Sequence, residues 1–402
     1  MDVFTLGESM YQRQVTILVY LSFMLLGLLS ILWGILLPDI MEQLQMSPAA
    51  SGLFFACMSL GSITGAFLGG KYVQKFEFVP LFAVLQLILV VLIVGASLVQ
   101  FWPVLLFFVF TLGLTCSGLF TIGHTLIARL YVEKRARMMG FMDFMFSLGT
   151  LAAPLYVVVL YWGVEDWRWP LRLLAVMLAG TAAYAWYLGR THQSPAHMTH
   201  AKGSLSYRQV MKKPVFFALA LMMFGYGAVE WGHGNWFVTY ASQGLALSTE
   251  QSRLIFAFFT GGMVLSRLSF SLFLRWFTSA QLLMILVLCA FCGAVLVKIT
   301  AVPALLQLGN FALGLGLGAI FPLMLTAAMD LDSDNGPVLS GLANIGGSIG
   351  YQAAALGTGL AAQQVGIATA YWLIPILAVW LLGTVSYFSY LLHKKHSKPV
   401  RI

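Results

Sequence analysis

Charge is what this sequence has least of. Only 9% of its 402 residues are Asp, Glu, Lys or Arg, against about 25% in a domain that folds in water. A water-soluble globule is therefore excluded. Cysteine is also scarce: Cys57, Cys116, Cys289 and Cys292 all fall inside apolar runs, so no disulfide framework is implied. Cys289 and Cys292 form C-x-x-C but lack partner ligands, so they read as packing residues and no metal site is expected. The phosphate-binding pattern G-x-x-x-x-G-K-[ST] is missing, so ATP is not expected to drive the protein. Clustered His and Asp ligands, or a nucleophile beside a base, are missing too. The chain is therefore not expected to be an enzyme or to need a cofactor. No cleavable leader is expected, because the apolar run after Arg13 lacks a small-residue cleavage pattern and reads as a retained first helix.

What the chain has instead is apolar length. Sixty per cent of it is hydrophobic, in recurring runs of roughly 20 residues, each long enough to cross a hydrocarbon core of about 30 Å as a helix. Such runs are too long and too uniformly apolar for barrel strands. The fold class expected is an all-α polytopic membrane protein of twelve transmembrane helices in two six-helix halves. The halves are residues 1–189 and 214–402, joined by a polar, basic cytoplasmic linker at 190–213. They echo each other in small residues: Gly61, Gly65 and Gly69 in span 2, Gly261 and Gly262 in span 8, Gly149 in span 5, and Gly346, Gly347 and Gly350 in span 11. Small residues let helices approach closely, and two related halves are a transporter signature.

The net charge of +8 follows topology. Eighteen of the 22 Lys and Arg residues fall on the side that holds the N-terminus, leaving Arg168, Arg172, Arg253 and Lys298 on the other. Both termini are therefore expected to be cytoplasmic, and no nucleic-acid partner is expected. Compact loops without an N-x-[ST] sequon suit a bacterial inner membrane.

One stretch stands apart. "GAVEWGHGNWFV", residues 227–238, puts Glu230, His233 and Asn235 inside span 7 among four glycines, Gly225, Gly227, Gly232 and Gly234. A charge at the bilayer centre costs at least about 2.5–3.5 kcal/mol, so it needs a partner, a water-filled cavity or a proton. Glu230 is thus expected to couple protons or cations, or to touch the solute; otherwise it is a carboxylate satisfied near the outer interface. His233, three residues on, shares nearly the same face. It is expected to hydrogen-bond Glu230 or the solute, or else to be a satisfied packing residue. The glycines weaken the helix by about 1 kcal/mol each relative to Ala, and are expected either to loosen it beside Glu230 or to pack closely against a neighbour.

The 6+6 layout resembles the major facilitator superfamily along essentially the whole chain. "GGKYVQKFEF" (69–78) is similar to its signature loop: Lys71 and Lys75 match basic positions, whereas Gln74 and Glu77 replace the usual Asp and Gly. "DWRWP" (166–170) resembles the common start of span 6, and "SLGTLAAPLY" (147–156) weakly resembles the antiporter glycine–proline motif. Residues 33–52 and "EWGHGNW" (230–236) look most like the fucose-permease-like and TsgA-like branch.

That resemblance implies a cavity lined by spans 1, 4, 7 and 10. Asn310 is expected about 10 Å below the outer face at 1.5 Å per residue, near the level of Glu230. Ser30, Trp33, Thr111, Thr115, Trp231, Asn235, Gln307 and Gln352 complete the expected solute layer. For each hydroxyl or amide alone, helix–helix hydrogen bonding is the plainer reading. Asp143 and Arg267 are expected near inner span ends as a gating pair. Alternatively, Arg267 caps helix C-terminal carbonyls and Asp143 sits near a helix N-terminus. His124 reads as a mouth residue rather than a coupling site. The function expected is secondary transport of a small polar solute by a monomer in the bilayer, as proton symport, with antiport as the alternative.

Overall fold

The computed structural model describes residues 3–72, 76–131, 134–191, 211–324 and 336–396. Most of the expected linker, and Gln74 and Lys75 of the signature loop, lie outside them. Twelve long helices run through the described residues: α1 (Val3–Gln43), α2 (Pro48–Tyr72), α3 (Phe78–Leu98), α4 (Trp102–Leu130), α5 (Arg135–Tyr161), α6 (Arg168–Thr191), α7 (Pro214–Thr239), α8 (Thr249–Phe273), α9 (Ser279–Ile299), α10 (Pro303–Gly318), α11 (Gly336–Ala370) and α12 (Leu373–His396). Eleven of them are long and apolar enough to cross a membrane. The exception is α11, which is built largely of glycine and alanine rather than long aliphatic residues.

Local chemistry sets the helix starts. Proline sits in the first turn of α4, α7 and α10, where its missing N–H goes unneeded. Ser248 accepts from the Gln251 N–H at the start of α8, and Thr278 forms a reciprocal capping box with Gln281 at the start of α9. Each such cap contributes about 1 kcal/mol. A π-helical turn, Tyr240–Gly244, extends α7. Gly366, at φ 78°, breaks α11 near its end.

The chain divides into two compact units, Met1–Thr199 and His200–Ile402. In the first, α2 packs on α4, α1 on α5 and α6, and α3 on α4 and α6. In the second, α8 packs on α10, α7 on α11 and α12, and α9 on α10 and α12. The second scheme is the first repeated helix for helix. Lipid gives helices no hydrophobic reason to associate, so close backbone approach carries much of the packing. A Cβ on Gly27 would collide with the Phe146 carbonyl, and one on Gly149 with that of Met24. In the second unit, Gly227 meets the Gly347 carbonyl and Gly350 that of Phe224. The corresponding glycines, and the residues they meet, stand about 200 positions apart, as in two copies of one unit.

Candidate functional site

The polar centre of the second unit is built on α7. Glu230 sits nine residues before the helix ends at Thr239, about 14 Å along it. Nη2 of Arg267, from α8, lies 3.6 Å from its Oε1, with the side chains 24% and 13% exposed. Arg267 comes from near the far end of α8. It reaches this level because side chains lean toward the N-terminus of their own helix. Consecutive spans run in opposite directions, so α7 and α8 are antiparallel and the two residues lean toward each other.

Two further groups complete the cluster. Tyr226, one turn before Glu230 and buried, is in hydrogen-bonding contact with both Glu230 and Arg267. The Arg267 Nε donates to the Gly318 carbonyl at 3.2 Å. That carbonyl has no intrahelical donor to expect: four residues on stands Pro322, which has no N–H. α10 ends there, and the guanidinium meets both an open helix end and a carboxylate.

His233 faces elsewhere. Its Nε2 lies 3.0 Å from the Asn310 Oδ1, and its Nδ1 lies 2.6 Å from the Tyr371 hydroxyl. Asn310 Nδ2 donates to the Leu306 carbonyl at 2.8 Å, which fixes the amide with Oδ1 toward the imidazole. Nε2 therefore carries the proton and donates, and the Tyr371 hydroxyl donates to Nδ1. This directed chain satisfies a fully buried ring that also packs on Phe237, Phe256 and Phe259. It ties α7 to α10 and to the turn before α12. Glu230 is not among His233's partners in this chain of bonds.

Asn235 is fully buried, and its amide meets the Tyr351 hydroxyl on α11 in a loose hydrogen-bonding contact. Trp231 stacks on Tyr351, ring centroids 5.2 Å apart. Gln307 and Gln352 are half-buried on α10 and α11. The glycines of this stretch do not break the helix: α7 is continuous through Thr239. Gly227 serves close approach to α11, and Gly232 packs against Ala354 and Ile374.

The first unit holds the remaining expected residues. Ser30 donates to the Gly27 carbonyl, Thr111 to those of Phe107 and Phe108, and Thr115 to that of Thr111. Each hydroxyl is thus satisfied by its own helix. Trp33 is buried edge-on against Phe54. The internal repeat carries Ser30 onto Glu230 and Trp33 onto His233, so the ionisable layer has an uncharged counterpart. Asp143 lies 3.6 Å from the Nε2 of His124. It and Arg267, the expected gating pair, each have a partner within their own unit.

Sequence reasoning missed Tyr226, Tyr351 and Tyr371 as site residues, and missed Arg267 as the partner of Glu230. Pro322 was the available signal for the last: it announces an open carbonyl at Gly318.

Twelve helices in two repeated six-helix units, with a partly buried ion pair inside one of them, define a polytopic membrane transporter architecture. The Major Facilitator Superfamily profile matches residues 18–355, and the chain belongs to that superfamily of transporters. It is similar to Protein TsgA of Salmonella typhi, 24% identical over 397 residues, covering 94% of this chain and 96% of that one. It is also similar to the TsgA homologue of Yersinia pestis (strain Pestoides F), 24% identical over 317 residues, covering 76% and 77%. Among solved structures, a bacterial homologue of the human lysosomal transporter Spinster, inward-facing and unoccupied, matches with a TM-score of 0.75 at 16% identity, covering 98% of this chain and 99% of that one. Nucleoside transporter NupG matches with a TM-score of 0.74 at 12% identity, covering 96% and 99%. At these identities the structures share the fold.

Proposed function

We propose that this chain is a proton-coupled symporter of a small polar solute, with Glu230 as the coupling carboxylate. The observation that carries the reading is the Glu230–Arg267 pair within the span. A proton on Glu230 removes the charge that holds Arg267. The guanidinium then keeps only its backbone partner and its other contacts, so protonation and the arrangement of α7, α8 and α10 become linked. Symport needs such a link: an equilibrium that a bound proton biases.

The solute layer is taken to be Trp231, Asn235, Gln307, Asn310 and Gln352, with Ser30, Trp33, Thr111 and Thr115 from the first unit. Asn235 is the strongest of these, because its buried amide is held only loosely by Tyr351 and keeps donor and acceptor capacity that a solute could use. Asn310 and His233 already satisfy each other, which supports a positioning role for both. The bias of basic residues supports cytoplasmic termini, and the relatives in Salmonella and Yersinia support a bacterial inner membrane. Asp143 and Arg267 are kept as gating residues. Proton antiport is the second reading, since the same pair would link a proton to export.

The test is uptake into proteoliposomes under an inward acid gradient, with a solute panel that includes nucleosides, sugars, organic acids and amino acids. Symport requires accumulation that the native protein shows and Glu230→Gln loses. Exchange of a solute against the gradient would point to antiport instead.

A further inference from the structure

The first unit contains a pair of groups to which the reading above gives no proton. His124 on α4 and Asp143 on α5 stand 3.6 Å apart, Nε2 to Oδ1. The other ring nitrogen, Nδ1, lies 2.8 Å from the carbonyl of Phe120, one turn back on α4. A carbonyl oxygen only accepts, so Nδ1 must carry a proton. In a neutral imidazole, Nε2 is then a bare lone pair, and it faces the carboxylate Oδ1, which is also an acceptor. Two acceptors at this separation repel. They attract only when one more proton is present, on Nε2 or on Asp143.

We propose that His124 and Asp143 form a second proton-binding site, separate from Glu230. Its construction is fixed. The Phe120 carbonyl sets the tautomer, and the ring of Phe23 on α1 packs against the imidazole with centroids 5.3 Å apart. The side chains of His124 and Asp143 are 38% and 62% exposed, so the pair is not sealed inside the protein. It lies on the half of α4 that ends in Arg129, the basic and so cytoplasmic end, and would report the pH on that side.

The other charged and titratable groups on the packed elements have contacts of their own or lie exposed, as Lys134 ahead of α5 does. From α1, Tyr20 donates to the Met138 carbonyl. On α4, Arg129 lies over Phe78 and Tyr131 shares a hydrogen bond with Thr16. On α5, Arg137 lies over Phe141, and on α6, Arg190 lies over Trp186. Glu77, ahead of α3, and Arg13 on α1 are exposed. Lys71 is in the last turn of α2, and its side chain lies outside the described residues.

The experiment is nitrogen NMR of histidine-labelled protein in lipid nanodiscs. The seven histidines allow His124 to be assigned by the signal lost in His124→Gln. Spectra of the native protein, Asp143→Asn and Asp143→Glu are compared between about pH 5 and 8, where histidine charge changes. If the pair binds the proton, the ratio of doubly to singly protonated His124 at a given mid-range pH falls by about 1.4- to 5-fold in Asp143→Asn, the range suited to an exposed pair, and largely returns in Asp143→Glu. His124 signals that are the same in native and Asp143→Asn across the range would overturn the proposal. Both groups are exposed, so neither variant is expected to misfold. Glu230→Gln should leave the His124 signals unchanged, so this test fails or succeeds independently of the symport reading.

Discussion

Arg267 Nη2 stands 3.6 Å from Glu230 Oε1 and spends its Nε on the Gly318 carbonyl, 3.2 Å away. One guanidinium thus joins a carboxylate on α7 to the broken end of α10. Arg267→Gln strips Glu230 of its countercharge and reopens the helix end. Breaking a buried pair costs about 3–5 kcal/mol, and the remaining exposure of this one brings the expectation to about 2–3 kcal/mol. Adding Glu230→Gln should recover part of that loss. Denaturant unfolding in detergent measures both, and equal stability of the single and double variants would contradict the pairing.

The bonds of His233 favour a structural role over coupling. His233→Ala breaks hydrogen bonds to Asn310 and Tyr371 and leaves a cavity among Phe237, Phe256 and Phe259. A loss of about 3 kcal/mol is expected, from the cavity and the stranded polar atoms together. The milder His233→Gln should lower transport without changing the shape of its pH profile. A flattened profile in that variant would move His233 into the coupling machinery.

Asn235 offers the opposite trade. Its amide is buried and only loosely bonded to Tyr351, so Asn235→Leu, similar in shape, should cost no more than about 1–2 kcal/mol. If the amide meets the solute, the same variant should lose most uptake. Retained uptake would remove Asn235 from the solute layer.

The glycines can be separated by position. Gly350→Ala drives a Cβ into the Phe224 carbonyl, whereas a Cβ at Gly383 meets open space. The first should cost about 1–3 kcal/mol or more by overpacking. The second should be close to neutral or stabilising, because alanine favours helix. Comparable unfolding of the two variants would contradict the close α7–α11 approach.

The helices and the ionisable group in span 7 were legible because long apolar runs and an isolated acid need no tertiary knowledge to stand out. Arg267 was not. Counting residues from a helix end places its Cα far from Glu230, and only side-chain length and lean close the gap. Pro322 was visible but carried meaning only once its missing N–H was matched to Gly318. Tyr226, Tyr351 and Tyr371 were hidden among the chain's 15 tyrosines, because a phenol in an apolar run looks like packing until its hydroxyl has a partner. The glycines around Glu230 pointed equally to a loosened helix and to close packing, and the backbone of α7 takes the second course.

The central claim is that a proton on Glu230 drives solute uptake. It is tested most directly by proteoliposomes of the native protein and Glu230→Gln, loaded with a pH-sensitive dye and given a solute that the native protein accumulates under an inward acid gradient. The account expects solute-dependent acidification of the lumen with the native protein, and neither acidification nor gradient-driven accumulation with Glu230→Gln. Solute-dependent acidification of equal size in Glu230→Gln would contradict it.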